Sequence, residues 1–293
     1  MSHTRERRTD TLGSTAFSDY ISVHKQAVYE KICEYVPKAE DAPAHSIMRD
    51  YIDRKGNYIR PGLVLLSGQM FDTDITSLLL PAAAIQISED TALMQDDWSD
   101  GANLRRGGET AHRKVGPVAA LNSSNIGNAE LWHMLNDYLL NSGMRDGAKG
   151  FLRGKRMFDR FNLIFNNTVE GQHLENEFIH KARDLSRADD RMYYTIAERK
   201  TSEYTVFGPL QLGAIAADQG DSMLQALKEI GRPAGIAFQI VDDIRDITFN
   251  PAGSGKERFG DLYEGKPTLV MLHTRRNASV GERLRIDAIY SKP

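Results

Sequence analysis

Apolar residues recur at helical spacing along almost the whole chain, and hardly any stretch alternates as a strand does. In "YISVHKQAVYEKICEYV" (20–36) they return every third or fourth position, which predicts an amphipathic helix. "RPGLVLLSGQMF" (60–71) places Pro61 in a first helical turn, where its missing N–H is harmless. "ITSLLLPAAAIQISEDTALMQDDWSD" (75–100) reads as one nearly continuous helix that Gly101 stops. Further long helices are predicted over about 117–140, 151–182, 188–218 and 221–248. Several are apolar most of the way round, as helices in the middle of a protein are. Turn-forming residues mark loops at "DGANLRRGGET", "NSGMRDGAKG" and "NPAGSGKERFGDLYEGKP". The pattern predicts one all-α domain spanning 1–293, with 1–16 as a flexible arm.

Composition narrows the class. A chain of 293 residues is long enough for a sizeable core. Lys and Arg number 37 against 40 Asp and Glu, so no basic excess points to nucleic acid. Cys33 is the single cysteine, which excludes a disulfide framework and a thiolate metal cluster and fits a reducing compartment. The first twenty residues are polar and charged, without a secretory h-region. The apolar run "SLLLPAAAIQI" is too short to span a bilayer, so no integral membrane segment is expected and a cytoplasmic location is.

The chemistry lies in two acidic motifs. Asp96, Asp97 and Asp100 stand in DDxxD spacing near the end of one long helix, and Asp242, Asp243 and Asp246 repeat that spacing near the end of another. Residues four apart share a helix face, so Asp96 pairs with Asp100 and Asp242 with Asp246. Such pairs suit Mg²⁺, which takes oxygen ligands and bridges one or two carboxylates to substrate phosphates. Carboxylates at a helix C-terminus also oppose the macrodipole, a penalty that a bound cation offsets. Arg105 and Arg106 follow the first motif, Lys256 and Lys266 flank the second, and Lys200 and Thr201 lie in "RKTSEY" on a helix between them. Cations and metals converging on one cavity are what a diphosphate leaving group requires.

Over roughly 55–270 these residues resemble the trans-isoprenyl diphosphate synthases, or polyprenyl synthetases. The likeness rests on "DDWSDGANLRRGGETAH", "GQHLE" (171–175), "RKTSEY" (199–204), "FQIVDDIRD" and "GKERFGDLYEGKPT". It implies a bundle of long helices around a central cavity, and a prenyltransferase that joins an allylic prenyl diphosphate to isopentenyl diphosphate. Asp96, Asp100 and Asp242 are then Mg²⁺ ligands, with three ions per site, and Asp97, Asp243 and Asp246 support them. Arg105, Lys200 and Lys256 neutralise the allylic diphosphate. Loss of pyrophosphate leaves an allylic cation, which the double bond of isopentenyl diphosphate attacks before a proton departs. Gln172 and Gln239 line the cavity, and Thr201 with the Lys200 carbonyl stabilises the cation. The resemblance also implies a homodimer.

The likeness weakens around the second substrate. The family's GKxxRP-type signature reads "KGNYIRPG" here: Arg60 and Pro61 match, while Asn57 and Tyr58 stand where basic residues are usual. Glu89 replaces the usual His or Gln seven residues before Asp96, and a carboxylate there repels phosphate unless neutralised. Arg60 and Arg106 remain to meet a second diphosphate, with Lys55 expected to shift in beside them; Lys266 is a further substrate-binding candidate beside the second motif. After "EGKPT" the chain runs only from Pro267 to Pro293, where family members usually carry further helices. Three functions follow: a chain-elongating synthase with an altered isopentenyl site; a terpene synthase of the same fold that ionises an allylic diphosphate without isopentenyl diphosphate; and a regulatory subunit, against which two complete DDxxD motifs argue. Ala92, Thr91, Ser88 and Ala84 are small and precede Asp96 on the face along which a prenyl tail would run, with Trp132 or Phe71 as a floor. That predicts a product of geranylgeranyl length or longer.

Overall fold

The computed structural model describes residues 7–38, 40–248 and 259–291, with side chains from residue 16 onward. Twelve α-helices follow in order among these residues: α1 (Arg7–Tyr35), α2 (Pro43–Asp53), α3 (Ile59–Gln69), α4 (Ile75–Ser99), α5 (Ala111–Val115), α6 (Pro117–Glu177), α7 (Asp190–Ile196), α8 (Gly208–Ala216), α9 (Asp221–Thr248), α10 (Gly260–Glu264), α11 (Leu269–Asn277) and α12 (Val280–Tyr290). The described strands are β1 (Leu104–Arg105) and β2 (Gly108–Glu109), a two-residue antiparallel hairpin after α4. Helix α1 reaches back to Arg7 and so occupies much of the stretch expected to be a flexible arm.

α4 is the central helix. Its residues from Pro81 to Ser88 are all buried, which its small and aliphatic side chains allow. It packs along α6 and against α3, which in turn lies on α8. Leu78, Ile85, Ile87 and Met94 of α4 join Tyr51, Leu65, Phe161 and Leu212 in one fully buried core. Each such aliphatic side chain contributes about 1.5–3 kcal/mol on burial, so this core rather than helix propensity fixes the arrangement. A second cluster of Phe178, Tyr193, Leu272 and Tyr290 ties α11 and α12 to α7. Thr268 accepts the Met271 N–H at the start of α11, and Ser279 with Glu282 forms a capping box at the start of α12.

Two features depart from the periodicity. The loop expected over 141–150 is a kink at Gly147 (φ 61°, ψ −140°), on either side of which α6 stays helical. The segments Phe178–Ala182 and Ala197–Phe207 are wound as π-helix, with wider turns than an α-helix. α7, the second π segment and α8 nonetheless form one continuous rod, matching the helix predicted over 188–218. Two glycines press neighbours onto that rod. A Cβ on Gly171 of α6 would lie 2.7 Å from the Lys200 nitrogen, and one on Gly235 of α9 would lie 2.4 Å from the Ser202 Cα. Lys200 and Thr201 are thereby held between the two helices.

Candidate active site

The ends of α4 and α9, the first half of the second π-wound segment, the end of α6 and the turn before α11 enclose a cavity of about 620 Å³. Asp96 and Asp100 enter it from α4, and Asp242, Asp243 and Asp246 from α9. Arg105, Lys200, Thr201, Gln239 and Lys266 share the lining. Lys256 lies outside the described residues.

Within each DDxxD the middle position is structural. Asp97 is fully buried and does not line the cavity; it accepts hydrogen bonds from the Tyr51 hydroxyl at 2.9 Å and from Arg105 Nε at 2.7 Å. It therefore holds Arg105 from outside the cavity. Asp243, 4 % exposed, accepts from the Tyr193 hydroxyl at 2.7 Å and from Gln239 Nε2 at 2.8 Å. Thr201 donates to Gln239 Oε1, so Thr201, Gln239, Asp243 and Tyr193 form one chain of hydrogen bonds. Asp246 accepts the Gly260 and Asp261 N–H groups at 3.1 and 3.3 Å and fastens the turn into α10.

Two residues without an assigned role complete the cavity. Glu175 ends the "GQHLE" stretch and pairs with Lys200, while Glu264 pairs with Lys266. Lys266 also reaches Asp261 at 3.2 Å and Asp100 at 3.9 Å. Burial works against the charge of Lys200, yet Glu175 and Asp96 raise its pKa above the usual lysine value. Burial raises Asp96, Asp100 and Asp246 above ordinary carboxylates, lifts Asp243 to about 6 and lifts Glu264 to about 7. Gln172, expected on the wall, instead donates to Asn176 Oδ1 at 3.2 Å and is absent from the lining.

Eight carboxylates and four Lys or Arg side chains line the cavity among the described residues. That imbalance, with burial already resisting ionisation, suits added cations. No three acidic or histidine side chains among the described residues converge into a closed ion site. Carboxylates brought to one cavity by two helices fit Mg²⁺, whose shell is completed by water and substrate phosphate.

Arg60 and Arg106 stand apart from this cavity. Arg60 Nη1 lies 3.0 Å from Glu89 Oε2, and Arg106 reaches Asp90 Oδ1 at 2.6 Å and Glu89 Oε1 at 3.4 Å. Glu89 is thus neutralised by the two arginines. Lys55 takes no part: its ammonium donates to Gln26 and lies 4.0 Å from the Tyr29 ring centroid. Asn57 is exposed, whereas Tyr58 is buried.

Of the small residues expected beside a tail, Ala84, Ser88 and Thr91 are buried in the core and Ala92 is half-buried. The Ser88 and Tyr204 hydroxyls lie 3.0 Å apart, while Thr91 turns to Gly127 of α6. Gln95 donates to Ser124, so the antiparallel course of α4 and α6 carries Trp132 to about the level of Ser88. Trp132 packs there on Phe158, Phe161 and Phe165, with ring centroids 5.2, 6.3 and 6.0 Å away. Phe71 lies in the turn after α3, beyond the start of α4.

The all-α bundle, with two DDxxD helix ends lining one cavity, has the fold of solved isoprenyl diphosphate synthases. The polyprenyl synthetase family model matches residues 42–293, and the chain belongs to that family of trans-prenyltransferases. It is 26 % identical over 255 residues to a geranylgeranyl diphosphate synthase of Methanosarcina mazei, a match covering 87 % of this chain and 74 % of that protein. It is likewise 26 % identical over 276 residues to heptaprenyl diphosphate synthase component 2 of Bacillus subtilis, covering 92 % and 70 % of the two chains. The solved structure of a geranylgeranyl pyrophosphate synthetase from Pyrococcus horikoshii superposes with a TM-score of 0.81 at 25 % identity, over 96 % of this chain and 81 % of that one.

Proposed function

We propose that this protein condenses an allylic prenyl diphosphate with isopentenyl diphosphate to give a trans-polyprenyl diphosphate of geranylgeranyl length or longer. The observation that carries this reading is that Asp96, Asp100 and Asp242, from two separate helices, line one cavity that also holds Arg105, Lys200 and Lys266. Mg²⁺ held by Asp96, Asp100 and Asp242 would supply Lewis-acid stabilisation of the departing diphosphate. Arg105, Lys200 and Lys266 bind the same diphosphate, exchanging their present carboxylate partners for phosphate oxygens. As the C–O bond breaks, the pair of electrons leaves with pyrophosphate and these cations receive the charge. The allylic cation is attacked by the double bond of isopentenyl diphosphate, and the departed pyrophosphate accepts the proton that restores an alkene. Leu93, Ile196 and Ala197 form an apolar wall beside the acidic groups that shields the cation from water. Thr201 and Gln239 present oxygen dipoles to it, held by Asp243 and Tyr193. Arg60 and Arg106 are the residues that would meet the second diphosphate. Lys256 is proposed to close over the first.

The protein would work as a cytoplasmic homodimer; among the described residues no helix is long and apolar enough to cross a membrane. Incubation with Mg²⁺ and farnesyl or geranylgeranyl diphosphate tests the reading. Elongated product is expected only when isopentenyl diphosphate is present and is lost in EDTA. Hydrocarbon or alcohol formed at full rate without isopentenyl diphosphate would overturn it.

A further inference from the structure

Glu89 occupies a peculiar place. Two guanidinium groups converge on it, Arg60 from the start of α3 and Arg106 from the turn between β1 and β2. Each arginine is also fixed without it. Arg60 Nη2 donates to Thr205 Oγ1 at 2.8 Å, and the guanidinium stacks 4.4 Å from the Tyr204 ring centroid. Arg106 is held by Asp90, which is 1 % exposed, and by the Tyr51 carbonyl. Asp90 is thus the buried counter-ion of Arg106, while Glu89 is a second carboxylate laid across both cations.

The bonding around Glu89 is incomplete. Its Oε2 has an ion-pair distance to Arg60 but no hydrogen bond, and the buried Arg60 Nε and Tyr58 hydroxyl have no partner. Buried donors are rarely left so, because an unmade bond leaves the desolvation of the group uncompensated. Two arginines converging on one carboxylate, with the Arg60 Nε still unpartnered, suit an anion with more acceptor oxygens than Glu89 offers.

We infer that Glu89 is a resident anion that competes with the diphosphate of the second substrate for Arg60 and Arg106, and so sets the enzyme's affinity for that substrate. This rests on the elongation reading above. A diphosphate must displace the Glu89 carboxylate or bind beside it against its charge, so the second substrate binds more weakly than the arginines alone would allow. The allylic diphosphate, held by Arg105, Lys200 and Lys266, is indifferent to this contact.

Glu89→Gln tests the inference, since it keeps the shape and removes the charge. The KM for isopentenyl diphosphate should fall about tenfold, the worth of one charge-assisted contact, while the KM for the allylic substrate stays unchanged. Calorimetric titration of isopentenyl diphosphate in EDTA should show the same tightening without turnover. Glu89→Ala serves as a second variant if the glutamine fails to fold, and is expected to shift binding in the same direction. Equal or weaker binding of isopentenyl diphosphate by folded variants would overturn the role of Glu89 alone. Tighter binding by the variants, with no elongation by the wild type, would sustain Glu89 as the competing anion and sink the elongation reading instead.

Discussion

At the scale of single residues, the two DDxxD motifs anchor their second carboxylate by the same device. Asp97 accepts a hydroxyl from Tyr51 and Asp243 accepts one from Tyr193, so a buried tyrosine anchors the middle carboxylate of each motif. The flanking Asp96, Asp100 and Asp242 are left to the cavity. Asp97 carries the heavier duty, because it alone fixes Arg105 from beneath. Replacing Asp97 with Asn should lower unfolding free energy by about 2 kcal/mol; this is below the range for a fully buried pair because Arg105 keeps some solvent contact. Urea denaturation measures that loss. Steady-state kinetics should show a raised KM for the allylic substrate as Arg105 loosens, and an unchanged KM would argue that Arg105 does not touch it. The i, i+4 spacing made Asp96 and Asp100 legible as a pair from the chain alone. The role of Asp97 was not legible, because it is decided by a tyrosine in another helix. Glu175 escaped for the same reason: only the fold shows that it faces Lys200.

At the scale of elements, helical periodicity located nearly every long helix, since apolar faces must turn toward a common core wherever they lie. It failed at 141–150, where a run of turn-forming residues reads as a loop. There a single glycine in a conformation forbidden to other residues redirects α6 without ending it. A Cβ at Gly147 would meet nothing within 4 Å, so Gly147→Ala isolates backbone strain from crowding. It should cost about 1–3 kcal/mol, read as a lowered urea midpoint at constant slope. The π-wound segment was equally invisible, because its residues repeat apolar positions closely enough to pass for a regular helix. The α4–α6 interface carries the prediction on chain length. Ala92 is half-buried one turn before Asp96, and bulk there would narrow the space leading toward Trp132. Ala92→Phe should give shorter products by chromatography of the dephosphorylated alcohols, and an unchanged product distribution would place the tail elsewhere.

At the scale of the whole molecule, buried carboxylates make stability depend on pH. Burial lifts Asp90 from its ordinary 3.8 to about 7, despite Arg106 beside it, and lifts Glu264 to about 7 and Asp243 to about 6. In the unfolded chain all three titrate near 4. Between pH 4 and 7 the native state therefore binds more protons than the unfolded state, and stability must fall as pH rises through that window. Carboxylates whose pKa is lowered, such as Glu175 and Asp53, release stability only below about pH 4 and do not enter it. His112, lowered mainly by burial, opposes the trend, while His133, raised by its bond to Glu130, reinforces it. Scanning calorimetry in EDTA should thus give a higher Tm at pH 5 than at pH 8. Mg²⁺ with pyrophosphate should flatten the part due to Asp243 and Glu264, because cations in the cavity favour their ionised forms. The part due to Asp90 should persist with those ligands and disappear in Asp90→Asn, since Asp90 lies outside that cavity. A Tm that rises from pH 5 to pH 8 in EDTA would show that these carboxylates are better compensated in the folded protein than their burial implies.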